Sequence, residues 1–123
     1  MRGIFYAELL TKYFLWIRIE GKGERRTNKM VKHIVLFKIK NKEDIQKGVE
    51  ALMSMKGKIE GLLDIEVGVD FLGSERSYDI ALTTTHPDRE ALDYYQAHPA
   101  HQPVKKIMHE IREASVACDY YDI

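Results

Sequence analysis

The chain is predicted to carry one α+β domain over residues 30–123, a four-stranded antiparallel sheet with helices on one face. Three observations lead there. Residues 31–40, 63–71 and 78–85 alternate apolar and polar side chains with the two-residue period of strands. Residues 45–59 and 104–111 repeat apolar side chains at helical spacing. Glycine, proline and Asn/Asp separate these runs where turns and caps are needed.

Val31–Lys40 (VKHIVLFKIK) opens the domain as a strand. His33, Val35, Phe37 and Ile39 share one face, while Ile34 and Leu36 occupy the other. A strand apolar on both faces must be covered on both. Asn41 then reads as an N-cap, with Glu43 and Asp44 favourable in the first turn. Ile45, Val49, Leu52, Met55 or Lys56, and Ile59 carry the helix to Glu60, with Gly57 and Gly61 suiting its C-terminus. Met53 and Met55 read as core filling.

Leu63–Phe71 is a half-exposed strand: Leu63, Ile65, Val67, Val69 and Phe71 lie on its apolar side. Leu72–Arg76 is a turn, and Tyr78–Thr85 returns as the third strand of a hairpin. Pro87–Glu90 opens a short helix that sends Ala91, Leu92 and Tyr95 to the core. His98-Pro99 stops it, because the residue before proline is pushed out of the helical region. Pro103 suits the first turn of a further helix with Val104, Ile107, Met108 and Ile111 inward, and Val116–Tyr121 is the last strand.

The order is therefore β-α-β-β-α-β, the ferredoxin-like arrangement. Helices cover only one face of such a sheet, and about ninety residues make a modest core. A second copy stacked on the open face satisfies both needs, so the chain is expected to partner itself as a homodimer. Sheets closed in this way leave an internal cavity for a small molecule.

Composition narrows the function. The chain is 45% apolar and 31% charged, with a formal net charge of zero. Residues 1–30 hold seven Lys/Arg against three Asp/Glu, and residues 31–123 hold twelve against sixteen. An acidic domain without a basic stripe is a poor nucleic-acid binder. Cys118 is the single cysteine, in an apolar-alternating run, and reads as a buried, inert thiol; disulfide bonding within the chain is excluded and a cytoplasmic location expected. Residues 1–29 read as an N-terminal extension outside the domain. Its apolar stretch Ile4–Ile19 is too short and too charged to span a membrane and lacks a secretory cleavage pattern, while an amphipathic helix stays open. Gly21–Lys29 has the composition of a linker, and Met30 is an alternative start, since Arg25-Arg26 matches AGG-AGG ahead of an ATG.

The densest polar group is Tyr95-Gln-Ala-His98-Pro99-Ala100-His101, which sets two imidazoles and a phenol around a forced helix break. Both residue types serve as general acids and bases near neutral pH. His33, inward beside Val35 and Phe37, is placed to face the same space. Each has a structural alternative, which spacing alone favours: histidines capping carbonyls, Tyr95 in the core with its hydroxyl tethered, His33 a satisfied core histidine. His86 and His109 read as solvated or capping residues. His98-x-x-His101 has a metal-ligand spacing, but nothing is placed to complete a set, so neither metal nor cofactor is expected.

Val31-Lys-His-Ile-Val-Leu-Phe-Lys38, Lys56-Gly-Lys-Ile-Glu-Gly61, Tyr78-Asp-Ile-Ala-Leu82 and Tyr95-Gln-Ala-His-Pro-Ala-His101 together resemble the stress-responsive A/B barrel (Dabb) family, over Met30 to about Tyr121. The resemblance implies a dimeric α/β barrel. One member, a plant olivetolic acid cyclase, closes a linear polyketide by an aldol-type reaction. On that likeness His101 is the general base, Tyr95 its hydrogen-bonding partner and polarising donor, and His33 a pocket-lining histidine. Val35, Phe37 and His98 join the expected binding set. The aromatic lining of the cyclase pocket is not reproduced in the first helix, where Met53 and Met55 stand. The leading expectation is a dimer that binds a small, largely apolar molecule, with polyketide-cyclase-like acid–base activity. A non-catalytic stress-response or structural dimer is the alternative. A monooxygenase of the related dimeric barrels is a second, by fold analogy, and the lack of tryptophan in the domain weighs against its haem-degrading version.

Overall fold

Four strands and three helices build the domain in a computed structural model that describes residues 29–122. The extension expected over residues 1–29, with its apolar stretch, lies outside the described residues apart from Lys29. The elements are β1 (Val31–Ile39), α1 (Ile45–Met53), β2 (Asp64–Val69), β3 (Ile80–His86), α2 (Arg89–Ala97), α3 (Gln102–Ile111) and β4 (Arg112–Tyr121). Short 3-10 turns precede α1 at Lys42–Asp44 and α3 at Pro99–His101. The sheet runs β2-β3-β1-β4, antiparallel throughout. This is the ferredoxin-like topology expected from the sequence.

The alternation in β1 decides which side chains meet the helices. Val31, His33, Phe37 and Ile39 are buried beneath them. They join Ile80 and Leu82 of β3, Leu52 of α1, Tyr95 of α2, and Val104 and Met108 of α3 in one core. Gly48 lets α1 approach closely, since a Cβ there would stand 3.0 Å from Ile80 Cδ1 and 3.1 Å from Ile111 Cδ1. Asp79, at the start of β3, accepts from the Ile39 backbone N–H at 2.7 Å and from Lys42 Nζ at 2.8 Å, tying the hairpin to the end of β1. Burial pushes its carboxyl up, but those two donors more than offset this and hold it below its ordinary range.

Several boundaries differ from the sequence reading, each for a local reason. The first helix stops at Met53 rather than Glu60. Ser54 Oγ donates to the Ala51 carbonyl at 2.6 Å, and i to i+3 backbone bonds then tighten the chain into successive turns. Met55 and Ile59 keep their burial without the helix. Asn41 makes no side-chain cap; its carbonyl instead accepts from Asp44 N–H at 2.8 Å. Phe71, the last apolar position of the second strand's run, lies beyond β2 and is 97% exposed. β4 begins four residues earlier than Val116, because β1 supplies ladder partners as far as Ile39 opposite Arg112, across a bulge.

Among the described residues the other face of the sheet carries no helix. Ile34 and Leu36 pair across the ladder with Cys118 and Val116, and Lys32 with Tyr120. Val116 and Tyr120 are about half exposed. Cys118, expected to be buried, is exposed on this same face, because strand parity turns it away from the helices.

Candidate functional site

The helix-side cavity is built by β1, α2, α3 and the break between those two helices. Asp88 caps α2 by accepting from Ala91 N–H at 2.8 Å, which fixes the turn that buries Tyr95 completely. Pro99 then forces the chain into a single 3-10 turn, and His101 enters the core from it. The hollow measures about 600 Å³. Val35, Phe37, Leu52, Leu82, Val104 and Met108 supply its apolar wall, and His33, Tyr95 and His101 its interior polar groups.

One phenol sits among three imidazoles. The Tyr95 ring lies 4.4 Å from that of His101, 5.0 Å from His86 and 5.9 Å from His33, centroid to centroid. The Tyr95 hydroxyl is buried and has no hydrogen-bond partner among the described residues. An orphaned buried hydroxyl costs about 1–3 kcal/mol, so a native fold that keeps one has a feature to explain. Burial pushes this phenol up, which keeps it protonated and a donor at neutral pH.

His101 has its tautomer set by its neighbour. Its Nδ1 lies 3.0 Å from the Tyr95 backbone carbonyl, which only accepts, so Nδ1 carries the proton. Nε2 keeps its lone pair and makes no hydrogen bond among the described residues. Burial pushes the imidazole down; the Tyr95 carbonyl opposes this, while Lys105, His33 and His98 add to it. The result is a neutral base with one free nitrogen.

His33 Nδ1 is paired with Asp119 Oδ1, the carboxylate directly opposite it across β1 and β4. The pairing fixes the ring, which meets that of Tyr95 edge-on. Asp119 also borders a second hollow of about 330 Å³ with Arg89, Asp93 and Tyr121. His33 and Asp119 thus stand between two cavities.

His98 stands apart from the other expected residues. Its Nδ1 accepts from Ala100 N–H at 2.9 Å, capping the 3-10 turn, and its ring packs on Tyr94 at 5.3 Å. It does not line the large cavity. Among the described residues no three His, Cys, Asp or Glu side chains are grouped as they would be around a metal ion.

Two residues enter the site that sequence reasoning placed elsewhere or passed over. His86, read as solvated or capping, is fully buried, with Nε2 at 2.9 Å from Thr84 Oγ1. Among the described residues its Nδ1 has no partner at hydrogen-bond geometry, the Gly61 carbonyl acting on the ring only from a looser position. Burial pushes its pKa down to about 4, with His33 adding to the effect and the Gly61 carbonyl and Asp119 opposing it. Extending the period Ile80, Leu82, Thr84 by one step would have placed His86 beneath the helices. Asp119 becomes legible only once the β1–β4 register is known.

A ferredoxin-like α+β layer with one open apolar sheet face and a histidine-lined cavity under its helices is the class of protein that these features define. The chain belongs to the stress responsive A/B barrel domain family, whose model matches residues 31–122. An uncharacterised protein of Streptomyces coelicolor is 35% identical over 78 residues, which is 59% of this chain and 80% of that protein. A dimeric protein of unknown function and ferredoxin-like fold from Bacteroides fragilis superposes with a TM-score of 0.68 at 31% identity, covering 76% of this chain and 96% of its own. A hydroxynitrile lyase from Passiflora edulis shares the fold at 14% identity, with a TM-score of 0.69 over 78% of this chain and 95% of that one. Among the described residues no helix is long and apolar enough to cross a membrane.

Proposed function

We propose that the protein works as a homodimer that takes a small, largely apolar carbonyl compound into the helix-side cavity and acts on it by proton transfer. His101 Nε2 is the base that removes a proton from carbon next to the carbonyl. The Tyr95 hydroxyl donates to the carbonyl oxygen as it gains negative charge, acquiring a partner that no described side chain or backbone group supplies. His33, oriented by Asp119, lines the floor. The enolate carbon can then bond to a second carbonyl carbon of the same polyketide-like chain, closing a ring, and the second oxygen takes the proton back from His101. In the reverse sense, the base takes a hydroxyl proton and the C–C bond beside it breaks, the released carbanion taking up the proton. The occurrence of a hydroxynitrile lyase on the same fold is in keeping with this reading.

The observation that carries the proposal is the buried Tyr95 hydroxyl without a partner, beside a neutral histidine with a free nitrogen. Buried polar groups kept only for packing are mostly paired, so the orphaned hydroxyl favours a role toward a ligand. The dimer rests on the half-exposed apolar open face and on the dimeric state of the Bacteroides fragilis relative.

The test is His101→Ala, assayed for small-molecule binding by calorimetry and for melting temperature. Loss of binding or turnover beyond what any lowered stability explains supports the proposal. A drop in melting temperature with ligand affinity unchanged would make His101 a brace for the helix break and nothing more.

A further inference from the structure

We infer that the ligand of this cavity carries a carboxylate, and that the cavity rim holds that head group while the apolar body lies inside. The inference rests on the proposed cavity reading and names its substrate class. Lys105, Lys106 and His109 are exposed on α3 where it borders the hollow, and Arg112 follows at the start of β4. Among the described residues none of Lys105, Lys106 and Arg112 has a carboxylate within ion-pair distance.

Their existing bonds go to neutral acceptors. Lys105 Nζ donates to the Gln96 carbonyl at 2.7 Å, which leaves two N–H groups free. The Arg112 guanidinium donates to Ser115 Oγ at 3.0 Å and to His109 Nδ1 at 3.2 Å. A histidine accepting at Nδ1 carries its proton on Nε2, so His109 adds a further outward donor. Lys106 makes no hydrogen bond or ion pair among the described residues.

This rim runs against its background. Residues 31–123 hold sixteen acids against twelve Lys/Arg, yet the cavity mouth gathers three of those cations with no balancing acid. Like charges held together on one face repel, and an anion placed among them removes that repulsion. Behind the rim the walls are Val35, Phe37, Leu82 and Val104, which favour an alkyl or aryl body. His101 and Tyr95 then meet the interior of the molecule, away from its charged end. The site fits an amphiphilic acid with a carbonyl part-way along its body.

Octanoate and 1-octanol share an eight-carbon chain and differ in head group, so they separate the two claims. Titration of the wild-type protein, followed by calorimetry and by NMR shifts of His33 and His101, is compared with the Lys105→Gln/Lys106→Gln/Arg112→Gln variant. Lys105 and Lys106 are exposed, and the half-buried Arg112 holds only Ser115 and His109, so the variant is expected to fold. Octanoate should bind about tenfold tighter than octanol in the wild type and lose that advantage in the variant. Added salt should weaken octanoate alone. Equal affinity for both probes, unchanged in the variant, would overturn the carboxylate inference and leave the apolar cavity standing. Failure of either probe to shift His33 and His101 would overturn the cavity reading, and this inference with it.

Discussion

The two faces of this sheet are built from alternate residues of the same strands and have opposite chemistry. On the helix side of β1, His33 lies in an apolar wall between Val31 and Phe37, covered by α2 and α3. On the other side, Ile34 and Leu36 pair with Cys118 and Val116, and half of Val116 meets solvent. Polar groups are buried on the side where the proposed chemistry needs dry surroundings, and apolar groups are bare on the side where the proposed second copy would sit. A single strand therefore serves a cavity and an interface at once, separated by one step of the two-residue period.

The largest effect that would break this comparison is expected on the open face. Leu36→Lys with Val116→Lys would bury like charges in the proposed interface, weakening association by roughly a hundredfold or more. Light scattering should then report monomers that keep the wild-type far-UV spectrum. A double variant that stays dimeric would place the interface elsewhere.

On the covered face, His86 governs the next effect. Its folded pKa of about 4 lies below the ordinary 6.5, so the unfolded chain takes up the proton first as pH falls. This contribution is complete above pH 6.5, declines between 6.5 and about 4, and amounts to about 3 kcal/mol at most. His101, also pushed down by burial, adds in the same direction. His86→Gln should flatten denaturant stability over that pH window while leaving the His101 contribution, which runs in the same direction. An unchanged pH profile would mean that the imbedded ring is hydrated in solution.

Tyr95→Phe sharpens the contrast between stability and function. Removal of an unpartnered hydroxyl should leave stability unchanged or raise it by up to about 1 kcal/mol, while turnover or ligand response falls. A loss of stability would show that the hydroxyl has a partner in solution. His98→Ala is the smallest case: loss of the Ala100 cap should cost about 1 kcal/mol without altering ligand affinity, whereas a change in affinity would bring His98 into the site.

The fold was largely legible before the structure, because β1, the hairpin and the helix break at Pro99 each follow from short-range rules. The helix end at Met53 was not, since Met55 and Ile59 are buried at helical spacing in a run of turns. In the site, Tyr95, His101 and His33 were legible as a group because the proline break and strand parity point them inward. Asp119 was not, because its meaning comes from a cross-strand partner 86 residues away. His86 fell just beyond the expected end of its strand, and the cationic rim joins residues of α3 to Arg112, the first residue of β4, which was read as beginning later.

The chemical account depends on His101 holding its proton on Nδ1 and offering Nε2 to the cavity. Nitrogen-15 NMR of the histidine side chains at pH 7 reads both atoms directly. The account predicts a protonated Nδ1 and a bare Nε2 on His101; an imidazolium, or a proton on Nε2, would leave the cavity without its base.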